Sequence, residues 1–478
     1  DQMQRTRGDL ELDNLLARMA VQFGRATKRG GALRNALGEV DEKGRRVSPD
    51  PTLLSQTKEP HDRGAILVAA VFDAFKLIYE NQVSDLRRIA TGGTGILDQG
   101  NIHPDLARRF ANEAVKAASR VLTIAIRALD YLPPVDITFG DYLRALITAD
   151  SDLVPDDPKR YRLAFIEAFR ARGIYPTDVR ALGEDSLRWR PLSNKQRAKV
   201  RQFLPPVEIM RTMISAWEYA PTPFLDDFAE KQMFMAKVRL KPEKLREVFL
   251  KAYWPTDSDE NGHSENPQGR EQERGHEHKG IDERQNIALI ERHFSRFFYL
   301  WLAVTCKTST KKEMEEASQV LGLDLFAYSR YLRERGRKEG AISVLSVRPT
   351  VRVRPDGRSK VELLVMLNQS ATIPVTDQSG EEVLAANGKP TVFPYRGGTT
   401  LLIDPQTGHV RYSICKRLKL EETSLRKQRN LNYMCEQIDL LGAKASQLLR
   451  LRPINEKELY DREPLACLHK DCDRREWS

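Results

Sequence analysis

The stretch that decides the fold is Glu59-Pro60-His61-Asp62-Arg63-Gly64, running directly into Ala65-Ile66-Leu67-Val68-Ala69-Ala70-Val71-Phe72-Asp73-Ala74-Phe75. A polar loop ends at Pro60, His61 stands at the junction, and Gly64 leads into an apolar run. From Gly64 to Tyr79 the run is apolar nearly all round, which predicts a helix buried on most faces. The run from Ala65 to Phe75 is too short to cross a membrane.

Working outward, apolar residues at helical spacing recur on both sides. Leu12, Leu15, Leu16, Met19 and Phe23 predict an amphipathic helix over Leu10 to Phe23, followed by a loop from Gly38 to Pro60. Downstream, Pro104 suits the first turn of a helix whose stripe is Leu106, Phe110, Ala114, Ala117, Val121, Leu122, Ala125 and Leu129. Pro133-Pro134 interrupts the chain. Two further helices are expected, over Phe139 to Ala149 and over Tyr161 to Ala171, the second closed by Gly173.

Helical pattern continues from Leu182 to Trp254, broken at Pro205-Pro206 and Pro221. Thr256 to Ile281 has almost nothing to bury and reads as a disordered linker or insertion. Helical periodicity resumes from Asn286 to Thr305 and from Lys312 to Glu334. After Gly340 the pattern changes to alternation. Ile342 to Val353 and Lys360 to Leu367 flank Pro355-Asp356-Gly357, and Thr399 to Ile403 and Val410 to Ile414 flank a loop holding Gly408. The expected map is a helical lobe over 1–180, helices over 181–255, the polar segment 256–283 and helices over 284–336. A small α+β module over 337–420 and a helix with a charged tail over 421–478 complete it. The fold class is mainly α, with a small C-terminal α+β module.

The chain of 478 residues is 40% hydrophobic and 30% charged, with net charge +10. A pI of about 9.2 admits an acidic partner, but basic and acidic residues are interspersed, with no zinc-finger or aromatic RNA-binding motif, so nucleic acid is not the expected partner. A membrane is not expected either. The five cysteines, Cys306, Cys415, Cys435, Cys467 and Cys472, are odd in number and scattered. They suggest a reducing, cytoplasmic setting rather than a disulfide framework.

The Glu59–Phe75 stretch resembles the thermolysin and fungalysin type of gluzincin zinc peptidase, in which a His before a small-residue helix follows the zinc-binding helices and faces the substrate. A second block strengthens the resemblance. It is Gly140-Asp141-Tyr142-Leu143-Arg144-Ala145-Leu146-Ile147-Thr148-Ala149-Asp150, followed by Ala164-Phe165 through Phe169-Arg170-Ala171-Arg172-Gly173-Ile174. Such domains end on a helix pair of this kind, with Ala-Asp near the end of the first helix and Arg-Gly closing the second. The resemblance covers residues 10–178 and implies a gluzincin-like helical lobe.

In that family zinc is held by two His of HExxH and a Glu of the next helix, and the metal activates a water for attack on a peptide. The resemblance gives His61 the catalytic role of donor to the oxyanion that forms. Zinc would be the cofactor of the intact protein, and a peptide or protein its substrate. None of the eight histidines forms HExxH, and His276-Glu277-His278 has the wrong spacing. The zinc helices are accordingly expected upstream of Asp1–Phe23, the chain being a fragment of an incomplete gene or a cleaved product that is inactive as given. Glu59 is a poor positional match for the acidic residue that orients the His. The alternative is a non-enzymatic interaction protein that keeps the lobe as a scaffold. No partner of the C-terminal module is readable.

Other motifs carry less. Ala90-Thr91-Gly92-Gly93-Thr94-Gly95 lacks the GxxxxGK[ST] pattern and reads as a loop. His103 reads as a helix-start residue. Asp150, Asp152, Asp156 and Asp157 read as a solvated acidic loop without EF-hand spacing. Cys467, His469 and Cys472 lack an evident fourth ligand. Arg396-Gly397-Gly398 reads as a turn or bulge.

Overall fold

The computed structural model describes residues 2–10, 48–57, 60–177, 179–211, 214, 283–334, 340–353, 359–374, 390 and 392–418. The expected helix over Leu10 to Phe23, the polar segment 256–281, the turn Pro355-Asp356-Gly357 and everything from 421 to 478 lie outside the described residues. The chain divides into two compact units. The first is Asp1–Leu132, Ile137–Arg190 and Val353–Arg358; the second is Pro133–Asp136, Pro191–Arg352 and Ser359–Ser478.

The four longest described helices of the first unit are α1 (Pro60–Ala90), α2 (Pro104–Ala128), α3 (Phe139–Leu153) and α4 (Tyr161–Ala171). Helix α1 packs against α4 and α2, and α3 against α2 and α4. Its contact face is rich in alanine: Ala65, Ala69, Ala70 and Ala74 are buried beside Ile66, Phe75, Ile78, Tyr79 and Val83. Small side chains let the helix axes approach closely. The apolar run is buried on most faces, as its composition predicts. Within residues 64–79 only Val68, at 48%, and Leu77, at 37%, are exposed.

Helix starts follow local chemistry. His103 caps α2, its Nδ1 accepting from the Asp105 backbone N–H at 3.2 Å, with Pro104 in the first turn. Thr138 and Asp141 form a capping box on α3. Asp157 accepts from the backbone N–H groups of Tyr161 and Arg162, at 2.8 Å each, to start α4. Gly173, with φ of +68°, closes α4 as Ile174 N–H donates to the Phe169 carbonyl at 3.0 Å.

The second unit holds α5 (Asn194–Val200), α6 (Glu283–Thr308), α7 (Lys311–Leu321) and α8 (Leu325–Arg333). Strands β1 (Ile342–Val353), β2 (Ser359–Pro374), β3 (Val392–Asp404) and β4 (His409–Lys416) form a sheet in that order. β2–β3 and β3–β4 are antiparallel, with Leu363 opposite Ile403 and Thr399 opposite Cys415. Phe297, Phe298 and Leu302 of α6, Leu321 of α7, Tyr328 of α8, and Leu363, Val365, Leu401 and Ile403 of the sheet belong to one buried cluster. The helices before Gly340 and the strands after it therefore share a core. Arg396-Gly397-Gly398 is not a turn. It lies inside β3, with Gly398 paired to Asn368 of β2, and the register shift falls instead between Leu402 and Ile403. A Cβ on Gly398 would stand 2.8 Å from the Leu367 carbonyl oxygen and from Pro134 Cγ. Crowding, not turn geometry, explains the glycine there. Across the four described strands the architecture is mainly α-helical with one small antiparallel sheet.

Candidate functional site

His61 is the second residue of α1, within its first turn. Two residues on, Arg63 reaches back over the preceding loop: its Nη1 donates to the carbonyl oxygens of Thr57 at 2.7 Å and Leu54 at 2.9 Å. That clamp sets the direction from which the chain enters α1. Gly64 lies three positions after His61 on α1. A Cβ placed on Gly64 would find no atom within 4 Å. The glycine is not demanded by packing, and the helix backbone at Gly64 is open to approach.

The two sequence blocks meet through buried charge. Arg172 Nε donates to Asp73 Oδ2 at 2.6 Å, with Arg172 7% and Asp73 8% exposed. The Ala-Asp and Arg-Gly pairs of the second block are both built into such contacts. Asp150, 2% exposed, accepts from Arg120 of α2 at 2.6 Å and from Arg162 of α4 at 3.1 Å. Arg162 also donates to the Val154 and Pro155 carbonyls, at 2.7 and 2.9 Å. Burial pushes the Asp150 carboxyl above the usual range, while Arg120 and Arg162 pull it back. Tyr131 donates to Asp152.

Of the four aspartates only Asp156 is an exposed loop residue, so the cluster is not a solvated loop as a whole. Asp150 and Asp152 belong to α3, which runs four residues beyond Ala149, and Asp157 is spent on capping α4. The Ala90–Gly95 stretch closes α1: Gly93 N–H donates to the Arg88 carbonyl at 2.8 Å, and Gly92 has φ of +61°. It thus sits at the carbonyl end of a helix, where the dipole disfavours phosphate.

A shallow groove of about 480 Å³ is lined by Leu86 of α1 and by Asp105, Arg108, Arg109, Asn112, Glu113 and Lys116 of α2. Leu86 stands 25 positions after His61 on the same helix (86 − 61), or about 37 Å at 1.5 Å per residue. The groove is consequently not part of a His61 site.

Among the described residues no group of three or more His, Cys, Asp or Glu side chains is placed to hold a metal ion. These residues do not make up a zinc set, so the zinc implied by the resemblance would need ligands from elsewhere. Cys435, Cys467, His469 and Cys472 lie outside the described residues. Among the described residues no helix is long and apolar enough to cross a membrane. Comparison of the chain with protein-family models, curated proteins and solved structures finds no match.

The residues hardest to foresee were Asp73, Arg120 and Arg162. One signal for the first was available: a lone carboxylate inside Val71-Phe72-Asp73-Ala74-Phe75 must find a cation if that helix is buried.

Proposed function

We propose that the first unit is the substrate-side lobe of a gluzincin-like zinc peptidase, and that His61 is its oxyanion donor. The observation that carries this reading is the buried Asp73–Arg172 pair. It joins the His-Gly-helix block to the helix pair of the second block, so the two short motifs behind the resemblance belong to one packed lobe. The open helix face at Gly64 supports it further, since a donor to a substrate oxyanion needs a face that substrate can reach.

The chain's own residues divide the work. Arg63 fixes the loop that enters α1. The Asp73–Arg172 and Arg120–Asp150–Arg162 contacts hold α1, α2, α3 and α4 in a single arrangement. His61 at the start of α1 supplies a polarising donor. Zinc, held by residues other than those described, would supply an activated water.

Elemental analysis and peptide cleavage test the proposal. Protein expressed from its complete reading frame should carry one zinc per chain and cleave a casein-type substrate, with both lost to a chelator. The 478-residue chain alone should carry no stoichiometric zinc and cleave nothing. Zinc-free, inactive protein from the complete frame would leave the lobe as an interaction scaffold.

A further inference from the structure

Helix α2 is apolar on two sides. Its inner side buries Ala107, Phe110, Ala117, Val121, Ile124 and Ala128. Its outer side carries Val115, 66% exposed, Leu122, 60%, Ile126, 58%, and, just past its end, Leu129, 51%. These four fall within about 60° of one another around the helix, at 100° per residue, and so form a continuous stripe. We propose that this stripe is the contact by which two copies of the chain pair, antiparallel, about a two-fold axis at Leu122.

The spacing of the stripe is itself nearly two-fold. Val115 stands seven residues before Leu122 (122 − 115) and Leu129 seven after it (129 − 122). Antiparallel pairing about Leu122 sets Leu122 against its own copy, Val115 against Leu129, and Ala118 against Ile126. Such an isologous contact needs one patch that complements itself.

Charge on the rim follows the same symmetry. Lys116 and Asp130 lie on one flank of the stripe, about 40° apart around the helix. Lys116 stands about 9 Å from the axis and Asp130 about 12 Å on the other side, so the two-fold brings each beside the other of the partner copy. Lys116 is 64% exposed and now bridges Glu113 at 2.7 Å within its own helix. A pair whose lysine is this exposed holds it weakly and leaves it able to serve a second carboxylate. Asp130 keeps the contacts it has within its own chain.

Four exposed side chains amount to on the order of 400 Å² of apolar surface, at the upper end of what a monomer carries as a single patch. Stable dimers bury about 800 Å² per partner. The pairing is accordingly weak and concentration-dependent.

Sedimentation velocity on the full chain, from about 1 to about 100 µM, tests this in the range where such contacts populate. The expected result is a rise in sedimentation coefficient from a 54.6 kDa species toward its dimer. Leu122→Glu should weaken the association at least tenfold, with Leu122→Gln as a milder second variant; circular dichroism should be unchanged in both, since the residue is exposed. Lys116→Asp should also weaken it, and Lys116→Asp with Asp130→Lys should restore it. A chain that stays monomeric throughout overturns the proposal and gives the stripe to another occupant. Association that Leu122→Glu leaves intact, or that the charge exchange fails to restore, overturns it equally.

Discussion

Arg172 and Asp73 lie 99 residues apart in sequence and 2.6 Å apart in space, Nε donating to Oδ2. Each closes a different motif: Asp73 faces inward from α1, and Arg172 follows the last residue of α4. A charge buried at this depth survives only beside its partner. The pair therefore fixes how α1 and α4 pack, and with it the place of His61 on the lobe.

Breaking that pair by one partner should be costly. Asp73→Asn or Arg172→Met each removes one partner of a buried ion pair and should lower stability by ~3–5 kcal/mol. Asp73→Leu with Arg172→Met should recover most of the loss. Urea denaturation of the three variants checks this; additive losses in the double variant would show that the two side chains act independently.

Two glycines separate backbone demand from crowding. Gly92 and Gly173 both have positive φ, +61° and +68°. A Cβ on Gly92 meets nothing within 4 Å, whereas one on Gly173 would sit 1.8 Å from the Pro51 carbonyl oxygen. Gly92→Ala should cost ~1–2 kcal/mol for the left-handed backbone alone. Gly173→Ala should cost clearly more, because the loop at Pro51 must also move. Equal losses on thermal unfolding would contradict the packing of that loop on the end of α4.

Cys306 predicts an alkaline limb of instability. The thiol is fully buried in α6, and burial raises its pKa from 9.0 to about 12. The folded state holds the proton that the unfolded chain releases above pH 9. This contribution is complete below pH 9 and is lost as pH rises from 9 to 12, by ~4 kcal/mol in total. Cys306→Ala should lower stability below pH 9 through lost packing and flatten the slope between pH 9 and 12. Parallel curves for the two proteins between pH 8 and 12 would exclude the thiol as the cause.

Much of the framework is legible from periodicity and punctuation. Pro104 and Gly173 mark helix ends that the His103 cap and a left-handed glycine then realise. Alternation after Gly340 and the Gly408 loop locate the strands and their second hairpin. What periodicity misses is which side of an all-apolar helix meets a neighbour. Val68 and Leu122 satisfy the same stripes as buried residues, yet both face solvent. Charge pairing is equally opaque: Asp150 among four aspartates looks solvated until Arg120 and Arg162 arrive from other helices. His61 is legible only through resemblance, since nothing in its spacing distinguishes a donor from a helix-start residue.

The most direct test replaces His61 with Ala in protein expressed from its complete reading frame, with turnover, zinc content and melting temperature measured on one preparation. In the proposed reading His61 is not a zinc ligand, and its interaction would be made in the transition state. Turnover should therefore fall about 10²–10³-fold, the range for one lost oxyanion donor. KM, zinc content and melting temperature should change little. A lowered melting temperature with unchanged kcat would contradict the assignment and leave His61 as a helix-start residue.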